Sequence, residues 1–559
     1  MLGLMVSKSE AQSHPDFVSY INTQHAWVDS VYKKLSKKER IAQLFMVRAH
    51  TNLGQAYIDS VAQVIKKEHL GGVVLFQGGP VRHARVINRY QGVANVPLLI
   101  ALDGEWGLGM RLADSTISYP YQMTLGAIQD ESLIYQMGRE IAKDFKRLGL
   151  NVNFAPVVDV NNNPRNPVIN YRSFGENKYN VARKGAQYMQ GMTDEGIISS
   201  LKHFPGHGDT DVDSHKDLPV LAFDRARLDS LEMYPFRELI KGGAPGVMVA
   251  HMNIPSLDAT PNLPSSLSSK VISGILKKEL GFRGITFTDA MDMNGVVKYF
   301  KGGEADVRAI IAGNDVLELS QNSKRAVKMV RKAIRKKRID AEDVEQRVKK
   351  VLAAKLWLGL DKWDSVSTRN LYADLHRPYA MRLNQRLADA AVTLLNGDSL
   401  IRNLDLTKKT AIISIGSEKI TPFQELINTR LDNGVNFLIP NNASADDVSK
   451  VAAELRTFDQ VLVALHDTRL RPGSILNYNN TVKLFVSEIA STQAIFCVFG
   501  NAYALASLPG IEHAASVLLA YQNDETLQRA ATKVLFREIK AEGKLPVTVN
   551  AFFRYGDGL

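Results

Sequence analysis

Cysteine is almost absent from this sequence. Cys497 is the single cysteine among 559 residues, so no disulfide can form within the chain. It lies in the apolar run AIFCVFG, which predicts a buried strand. A disulfide-stabilised fold is therefore excluded, while the cellular compartment stays open.

Long apolar runs are also missing, and none would cross a bilayer, so we expect no membrane span. The N-terminal MLGLMVSKSEAQSHP has an apolar patch too short for a secretory signal. It is either the remainder of a trimmed signal or a frayed end. The first case predicts a periplasmic or cell-envelope protein, and the second predicts a cytoplasmic one.

Motifs for nucleic acids and nucleotides are absent too, although the net charge is +11. The basic run KRAVKMVRKAIRKKR (324–338) has the pattern of an amphipathic helix with a solvated face. No phosphate-binding G-x-x-x-x-G-K-[ST] is present, and GLGMRL lacks the third glycine of a dinucleotide fingerprint. We therefore expect no nucleic-acid partner.

The apolar runs that are present are short and repeat along the first 320 residues. Strands without polar alternation indicate burial on both faces, as in a parallel sheet covered by helices. With amphipathic stretches between them, eight such runs predict an α/β fold of the (β/α)₈ TIM-barrel type, and an open doubly wound sheet is the alternative. The eight runs are 42–47, 71–76, 97–103, 151–160, 197–204, 246–252, 284–290 and 314–320.

The chain is too long for one hydrophobic core, and the pattern restarts after a loop-like segment. A helix is predicted over 381–395, and alternating helices and strands follow it. These predict a smaller C-terminal α/β sandwich domain, with strands at 410–416, 460–467, 494–500 and 516–522. The expected division is a tail (1–20), the barrel (21–360), a linker (361–380) and the second domain (381–559).

Ionisable residues follow five of the predicted barrel strands. Active-site residues of such barrels lie at the C-terminal ends of the strands, so these side chains are expected to meet at one mouth. Any one of them alone could instead cap a helix or form a buried hydrogen bond. They are Asp103, Arg111, Arg172, Lys202, His203, His251 and Asp289.

The densest polar stretch is KHFPGHGDTDVDSH (202–215), and a metal site is one interpretation of it. His203 and His207 are four residues apart, but Pro205 and Gly206 prevent the helix that would align them. An EF-hand loop starting at Asp209 also fails. Its sixth position is a serine and its twelfth, Val220, cannot ligate calcium.

General acid/base catalysis is the other interpretation. Asp213 and His215 are two residues apart on an irregular loop, and a carboxylate there can fix the imidazole tautomer and raise its basicity. An exposed turn without chemistry is an equally simple explanation of this pair alone.

KHFPGHGDTDVDSH, followed by LP at 218–219, closely resembles the signature of glycoside hydrolase family 3 in its β-N-acetylglucosaminidase (NagZ-type) branch. DGEWGLGMRL resembles the family pattern D-x-E-G-G-x-V-x-R-[FL], except that Trp106 replaces a glycine. RSFG and TDAMDM are further family landmarks. AVTLLNG (391–397) and GKLPVTV (543–549) resemble the start and close of the family's second domain. The chain ends soon after that last motif, as a fragment of a longer protein would.

The resemblance implies a retaining exo-β-N-acetylglucosaminidase, with Asp289 as nucleophile and His215, oriented by Asp213, as acid/base. It implies muropeptide or chitin-type oligosaccharides as substrates, without a metal or organic cofactor. It implies binding of a terminal N-acetylglucosamine by Asp103, Arg111, Arg172, Lys202 and His203. His207 and Asp209 are expected to shape the loop, and its glycines to let the loop open and close.

Three alternatives remain open at this point. A β-glucosidase or β-xylosidase of the same family would take its acid/base from a carboxylate in the second domain. A phosphorylase would use phosphate as acceptor, which a histidine tolerates better than a carboxylate does. A non-catalytic sugar-binding protein is the third. Nothing in the sequence indicates an oligomeric state.

Overall fold

The computed structural model describes residues 15–113, 115–213 and 216–559. The first sheet contains eight parallel strands in the order β7-β6-β5-β4-β3-β2-β1-β8. A parallel bridge between Phe287 and Val316 brings its two edges together, so the sheet is a nearly closed barrel, as predicted. The strands are β1 (Phe45–Ala49), β2 (Gly72–Leu75), β3 (Leu99–Leu102), β4 (Val152–Asn153), β5 (Ile198–Phe204), β6 (Gly246–Val249), β7 (Ile285–Thr288) and β8 (Leu317–Glu318).

Helices cover the outside of the barrel and bury one face each. In the basic helix Ser323–Arg335, Ala326, Val327 and Val330 pack inwards while the lysines and arginines face solvent. The helices are α1 (Phe17–Ile21), α2 (Ala26–Lys34), α3 (Lys37–Ala42), α4 (Gln55–Glu68), α5 (Pro80–Val93), α6 (Gln122–Gly126), α7 (Ser132–Leu148), α8 (Lys178–Asp194), α9 (Arg225–Ser230), α10 (Tyr234–Lys241), α11 (Asn294–Val297), α12 (Glu304–Ala312), α13 (Ser323–Arg335) and α14 (Ala341–Trp357). Lys270–Glu279 is wound as a π-helix, and 3₁₀ turns span Leu108–Met110, Asn170–Arg172, Ser265–Leu267 and Leu360–Lys362.

A second sheet has six strands in the order β11-β10-β12-β13-β14-β9, with only β9 antiparallel to its neighbour. Its strands are β9 (Thr393–Asn396), β10 (Thr410–Ile415), β11 (Gly434–Ile439), β12 (Gln460–His466), β13 (Ala494–Phe499) and β14 (Ser516–Leu519). Its helices are α15 (Leu371–Leu375), α16 (Pro378–Ala391), α17 (Asp398–Arg402), α18 (Pro422–Asn428), α19 (Ala445–Leu455), α20 (Asn480–Ala490) and α21 (Glu525–Leu535), with 3₁₀ turns at Ala502–Ser507 and Ile511–His513.

Two strands of this sheet differ from the sequence-based expectation. The helix predicted over 381–395 ends at Ala391, and the apolar residues after it form β9. The edge strand β11 alternates between half-exposed and buried residues, so it lacks the continuous apolar run that marked its neighbours.

The segment between the two sheets is ordered and packs on the barrel. The Asn88 amide exchanges two hydrogen bonds with the backbone of Val366. Further along, Arg377 forms ion pairs with Glu140 (2.9 Å) and Asp144 (2.8 Å) of α7. Leu371 and Leu375 of α15 are buried.

A loop of the second sheet, 467–475, reaches the C-terminal mouth of the barrel. Tyr121 donates its hydroxyl to the carbonyl of Leu470 (3.2 Å), and Asn170 donates to the hydroxyl of Ser474 (2.8 Å). The mouth is therefore walled by both parts of the chain. In the ranges described, no helix combines the length and apolar content that crossing a bilayer requires.

Candidate active site

A cavity of about 1330 Å³ opens at the C-terminal ends of the barrel strands. Seven of the predicted residues line it, and His251 does not: the seven are Asp103, Arg111, Arg172, Lys202, His203, Asp213 and Asp289. His215 and its neighbour Ser214 lie outside the described residues. The predicted convergence of strand ends on one mouth is thus present.

Asp103 follows β3 and accepts from two cations. Arg111 reaches one carboxylate oxygen at 2.5 Å, and Lys202 of β5 reaches the other at 2.9 Å. Burial alone would raise the pKa of Asp103, but the charges of Lys202 and Arg111 outweigh it and hold this pKa well below its usual range. Asp103 is therefore a fixed carboxylate with a defined orientation.

Glu105 extends this network, and sequence reasoning missed it although it lies within the quoted DGEWG motif. Its fully buried carboxylate pairs with Lys202 (2.8 Å) and accepts two hydrogen bonds from Arg172 (2.7 and 2.9 Å). Burial would raise the pKa of Glu105, yet the charges of Arg172 and Lys202 lower it to about 2. The carboxylate fixes both cations, leaving their remaining N–H groups for a ligand.

Two histidines of the loop are organised by Asp159, another residue that the sequence did not reveal. His203 Nδ1 lies 2.7 Å from the buried Asp159 carboxylate, which also accepts from the backbone N–H of His207 at 2.7 Å. Burial and the neighbouring His203 lower the pKa of His207 to about 4. His207 is thus neutral at working pH, and its Nδ1 bonds the Thr210 hydroxyl (2.8 Å).

Asp289 follows β7 directly. Its backbone N–H bonds the carbonyl of Val249, and its carboxylate accepts from the N–H of Ala290 (2.7 Å). His251 also follows a barrel strand, but it is fully buried behind the cavity. Its ring bonds Ser266 (2.6 Å) and the carbonyl of Ala290 (3.0 Å), so it supports the turn that carries Asp289.

The loop after β5 is held by close packing. A Cβ on Gly208 would lie 1.9 Å from the carbonyl oxygen of Val160, so only glycine fits there. Asp209 pairs with Arg227 at 2.7 Å, which agrees with the expected shaping role. Asp213 is half-buried and faces the cavity, and its carbonyl accepts from Lys216.

An aromatic wall stands on one side of the cavity. The ring centroids of Trp106 and Tyr121 are 4.7 Å apart, and those of Tyr121 and Tyr171 are 4.9 Å apart. Trp106, which replaces the family glycine, is part of this wall. Such surfaces with a few fixed polar groups are typical of small-ligand sites.

The arrangement is that of an α/β-barrel enzyme whose active-site cavity lies at the C-terminal ends of the strands, with carboxylates and cations paired around Asp103. A family model described as the glycosyl hydrolase family 3 N terminal domain matches residues 36–354. The chain belongs to this family and is a glycoside hydrolase.

Relatives and solved structures agree with this assignment. The chain is 28% identical over 548 residues to β-hexosaminidase A of Pseudoalteromonas piscicida, covering 88% of this chain and 91% of that one. A family 3 β-N-acetylglucosaminidase structure from Paenibacillus sp. str. FPU-7 has a TM-score of 0.78 at 31% identity, covering 92% and 99%. A β-glucoside phosphorylase has a TM-score of 0.80 at 22% identity, covering 95% and 99%, which is a similarity of fold.

Proposed function

We propose that the protein is a retaining exo-β-N-acetylglucosaminidase that removes terminal β-linked N-acetylglucosamine from cell-wall or chitin-type oligosaccharides. The observation that carries the proposal is that Asp289, Asp213 and the Asp103 network line one cavity. The β-hexosaminidase and β-N-acetylglucosaminidase named among the similar proteins support the choice of sugar.

In the proposed mechanism, the Asp289 carboxylate attacks the anomeric carbon while the bond to the leaving oxygen breaks. His215 protonates that oxygen, and Asp213 orients the imidazole. The neutral imidazole then takes a proton from water, whose oxygen displaces Asp289 and regenerates the free enzyme. An imidazole with an ordinary pKa near 6.5 suits both proton transfers at neutral pH.

The terminal sugar would be held by the network around Asp103. Its carboxylate accepts from sugar hydroxyls, while Arg111 and Lys202 donate to them. Because these three groups are already locked together at 2.5 and 2.9 Å, little side-chain freedom is lost on binding. Arg172, which follows β4, and His203, next to Lys202 on β5, complete the set.

A screen of aryl β-glycosides tests the proposal. The N-acetylglucosaminide should be cleaved far faster than the glucoside, the xyloside or the N-acetylgalactosaminide. Equal rates, or a preference for the glucoside, would assign the protein to the β-glucosidase branch. That result would leave the Asp213–His215 pair without a role.

A phosphorylase is the second candidate, and two arginines favour testing it. Arg165 and Arg471 line the cavity and form no ion pair with any described part of the chain. They could serve phosphate as the attacking group or an acidic sugar as the leaving group. Adding inorganic phosphate to the screen separates these, because a phosphorylase releases sugar 1-phosphate. If Arg471 binds phosphate, the Arg471→Ala variant should lose the dependence of its rate on phosphate. If Arg471 instead binds an acidic leaving sugar, the variant should lose its preference for a substrate with an acidic leaving group over one with a neutral leaving group.

A further inference from the structure

Glu318 is a buried carboxyl group that lines the cavity and has no part in the proposed mechanism. It is the last residue of β8, pairs in register with Met46 of β1, and is 3% exposed. Its N–H bonds the hydroxyl of Thr288 (3.0 Å), and its carbonyl accepts from Met291 (2.9 Å). Those two partners flank Asp289 in the chain, so the backbone holds Glu318 beside the proposed nucleophile.

The carboxyl group of Glu318 has no hydrogen-bond partner among the residues that the structure describes. Its Oε1 is buried, and neither carboxyl oxygen has a hydrogen bond to any residue the structure describes. A buried polar group usually finds a hydrogen-bond partner, and leaving one unsatisfied destabilises the protein. Because the side chain lines the cavity, a bound ligand is positioned to supply that partner.

The charges around Glu318 oppose its ionisation. Burial, followed by the carboxylates of Asp103 and Asp289, raises the pKa of Glu318 well above its usual range, and Lys202 opposes this only in part. Arg48, at the end of β1, lines the same cavity but pairs with Asp292 at 3.0 Å. A third negative charge beside Asp103 and Asp289 is therefore disfavoured.

We propose that Glu318 is a protonated carboxylic acid that donates a hydrogen bond to a hydroxyl group of the bound sugar, between Asp103 and Asp289. The inference rests on the proposed function in that a sugar occupies this cavity. An acid kept neutral can donate as well as accept, which an ionised carboxylate cannot do. It contacts the sugar without adding a charge that would oppose ionisation of the nucleophile.

Two substitutions of Glu318 separate hydrogen bonding from charge. Glu318→Leu removes the donor and should lower kcat/KM for the aryl N-acetylglucosaminide by about tenfold, mainly through KM. Glu318→Gln keeps a neutral donor and acceptor and should lose less than about threefold. A folded Glu318→Leu enzyme with wild-type kcat/KM would overturn the proposal, as would a Gln variant that loses as much as the Leu variant.

Infrared spectroscopy tests the protonation state directly. At pH 7 the wild type should show a carboxylic-acid C=O band that Glu318→Gln lacks and that shifts when N-acetylglucosamine is added. Asp306→Asn is the matched control, because burial also raises the pKa of Asp306, to about 6, but its partner is Ser320 (2.5 Å) outside the cavity. This control should retain the band and its shift. A band that is identical in wild type and Glu318→Gln would overturn the proposal.

The two proposals fail in different ways. If the wild type cleaves another aryl glycoside in preference, the proposed sugar is wrong, and the Glu318 variants are compared on that glycoside. If the wild type cleaves the N-acetylglucosaminide but the infrared band and both variants behave like wild type, only the role of Glu318 is wrong. Should Glu318→Leu not fold, the Gln variant and the sugar-induced band shift decide.

Discussion

Asp289 is the residue on which the proposed chemistry depends most. Asp289→Ala should abolish turnover and leave the fold intact, since the residue follows β7 and its backbone N–H still bonds Val249. A slow fluorinated glycosyl donor, followed by peptide mass mapping, should label Asp289 in the wild type. Label on another carboxylate would contradict the assignment.

His215 is predicted to carry the proton for the leaving group. His215→Ala should reduce kcat/KM strongly for alcohol leaving groups and weakly for nitrophenolate, which departs with little protonation. Asp213→Ala should show the same trend more mildly, because it removes the orienting partner and not the proton carrier. A uniform loss across leaving groups would mean that His215 only binds or shapes the loop.

Glu105 links the site to acid stability. Its pKa is lowered from 4.5 to about 2, so its contribution to folding is complete above pH 4.5 and is lost as pH falls towards 2. Glu105→Gln should therefore have a lower Tm than wild type at pH 7, and the difference should shrink in acid. Glu279→Gln, on an exposed pair with Arg225, should barely change Tm at either pH. A Glu105 difference that is independent of pH would contradict the ionic explanation.

Single residues also show what the sequence could and could not predict. The place of Asp103, Lys202 and Asp289 at the cavity was predictable because each lies at or near the C-terminal end of an apolar run that forms a barrel strand. Glu105 and Asp159 have the same chemistry, but their roles depend on which cations and N–H groups the fold brings to them. Glu318 ends a strand too, yet β8 is only two residues long, and nothing in its run indicates which side chain faces the cavity.

Loop 202–215 contains the glycines that are expected to let it open and close, and Gly208 among them is tightly packed. Gly208 leaves no room for a Cβ against Val160, so it fixes the loop in place. Gly208→Ala should lower both Tm and kcat/KM. Gly92→Ala, at an exposed position of α5 with no atom within 4 Å of the new Cβ, is the control and should be neutral or slightly stabilising. A Gly208→Ala enzyme with unchanged Tm and lower kcat would instead indicate that Gly208 serves as a hinge.

Elements of the second sheet were predictable only where a strand carries a continuous apolar run. Strands β10, β12, β13 and β14 have continuous apolar runs, whereas β11 lies at an edge and β9 follows a helix without a break. The loop 467–475 carried no signal at all. Its place at the barrel mouth depends on how two sheets pack, and local sequence does not encode that directly.

At the scale of the whole molecule, both sheets contribute residues to the cavity. We propose that the chain divides into a barrel domain (21–360), a linker (361–380) and a second domain (381–559). The C-terminal motif GKLPVTV returns to the barrel. There the backbone N–H of Lys544 donates to the carbonyl of Ala127 (3.0 Å), and the backbone N–H of Glu176 donates to the carbonyl of Pro546 (3.1 Å). Thr548 also bonds the Glu176 carboxylate at 2.7 Å. These contacts lie far along the chain from the barrel they support.

A barrel truncated after residue 360 should therefore lose both stability and activity. It would lack the hydrogen bonds from the second sheet to Tyr121, Asn170 and Glu176, and its mouth would open on the side of loop 467–475. Thermal unfolding and kcat/KM on the aryl N-acetylglucosaminide measure the two losses.

Because the truncated chain could fail to fold for unrelated reasons, a second variant is the full-length chain with residues 469–474 replaced by glycine and serine. It should keep Tm within a few degrees and lose more kcat/KM on an oligosaccharide than on an aryl glycoside, since the loop walls the outer part of the cavity. Full activity of the isolated barrel on both substrates would show that the second domain takes no part in the site.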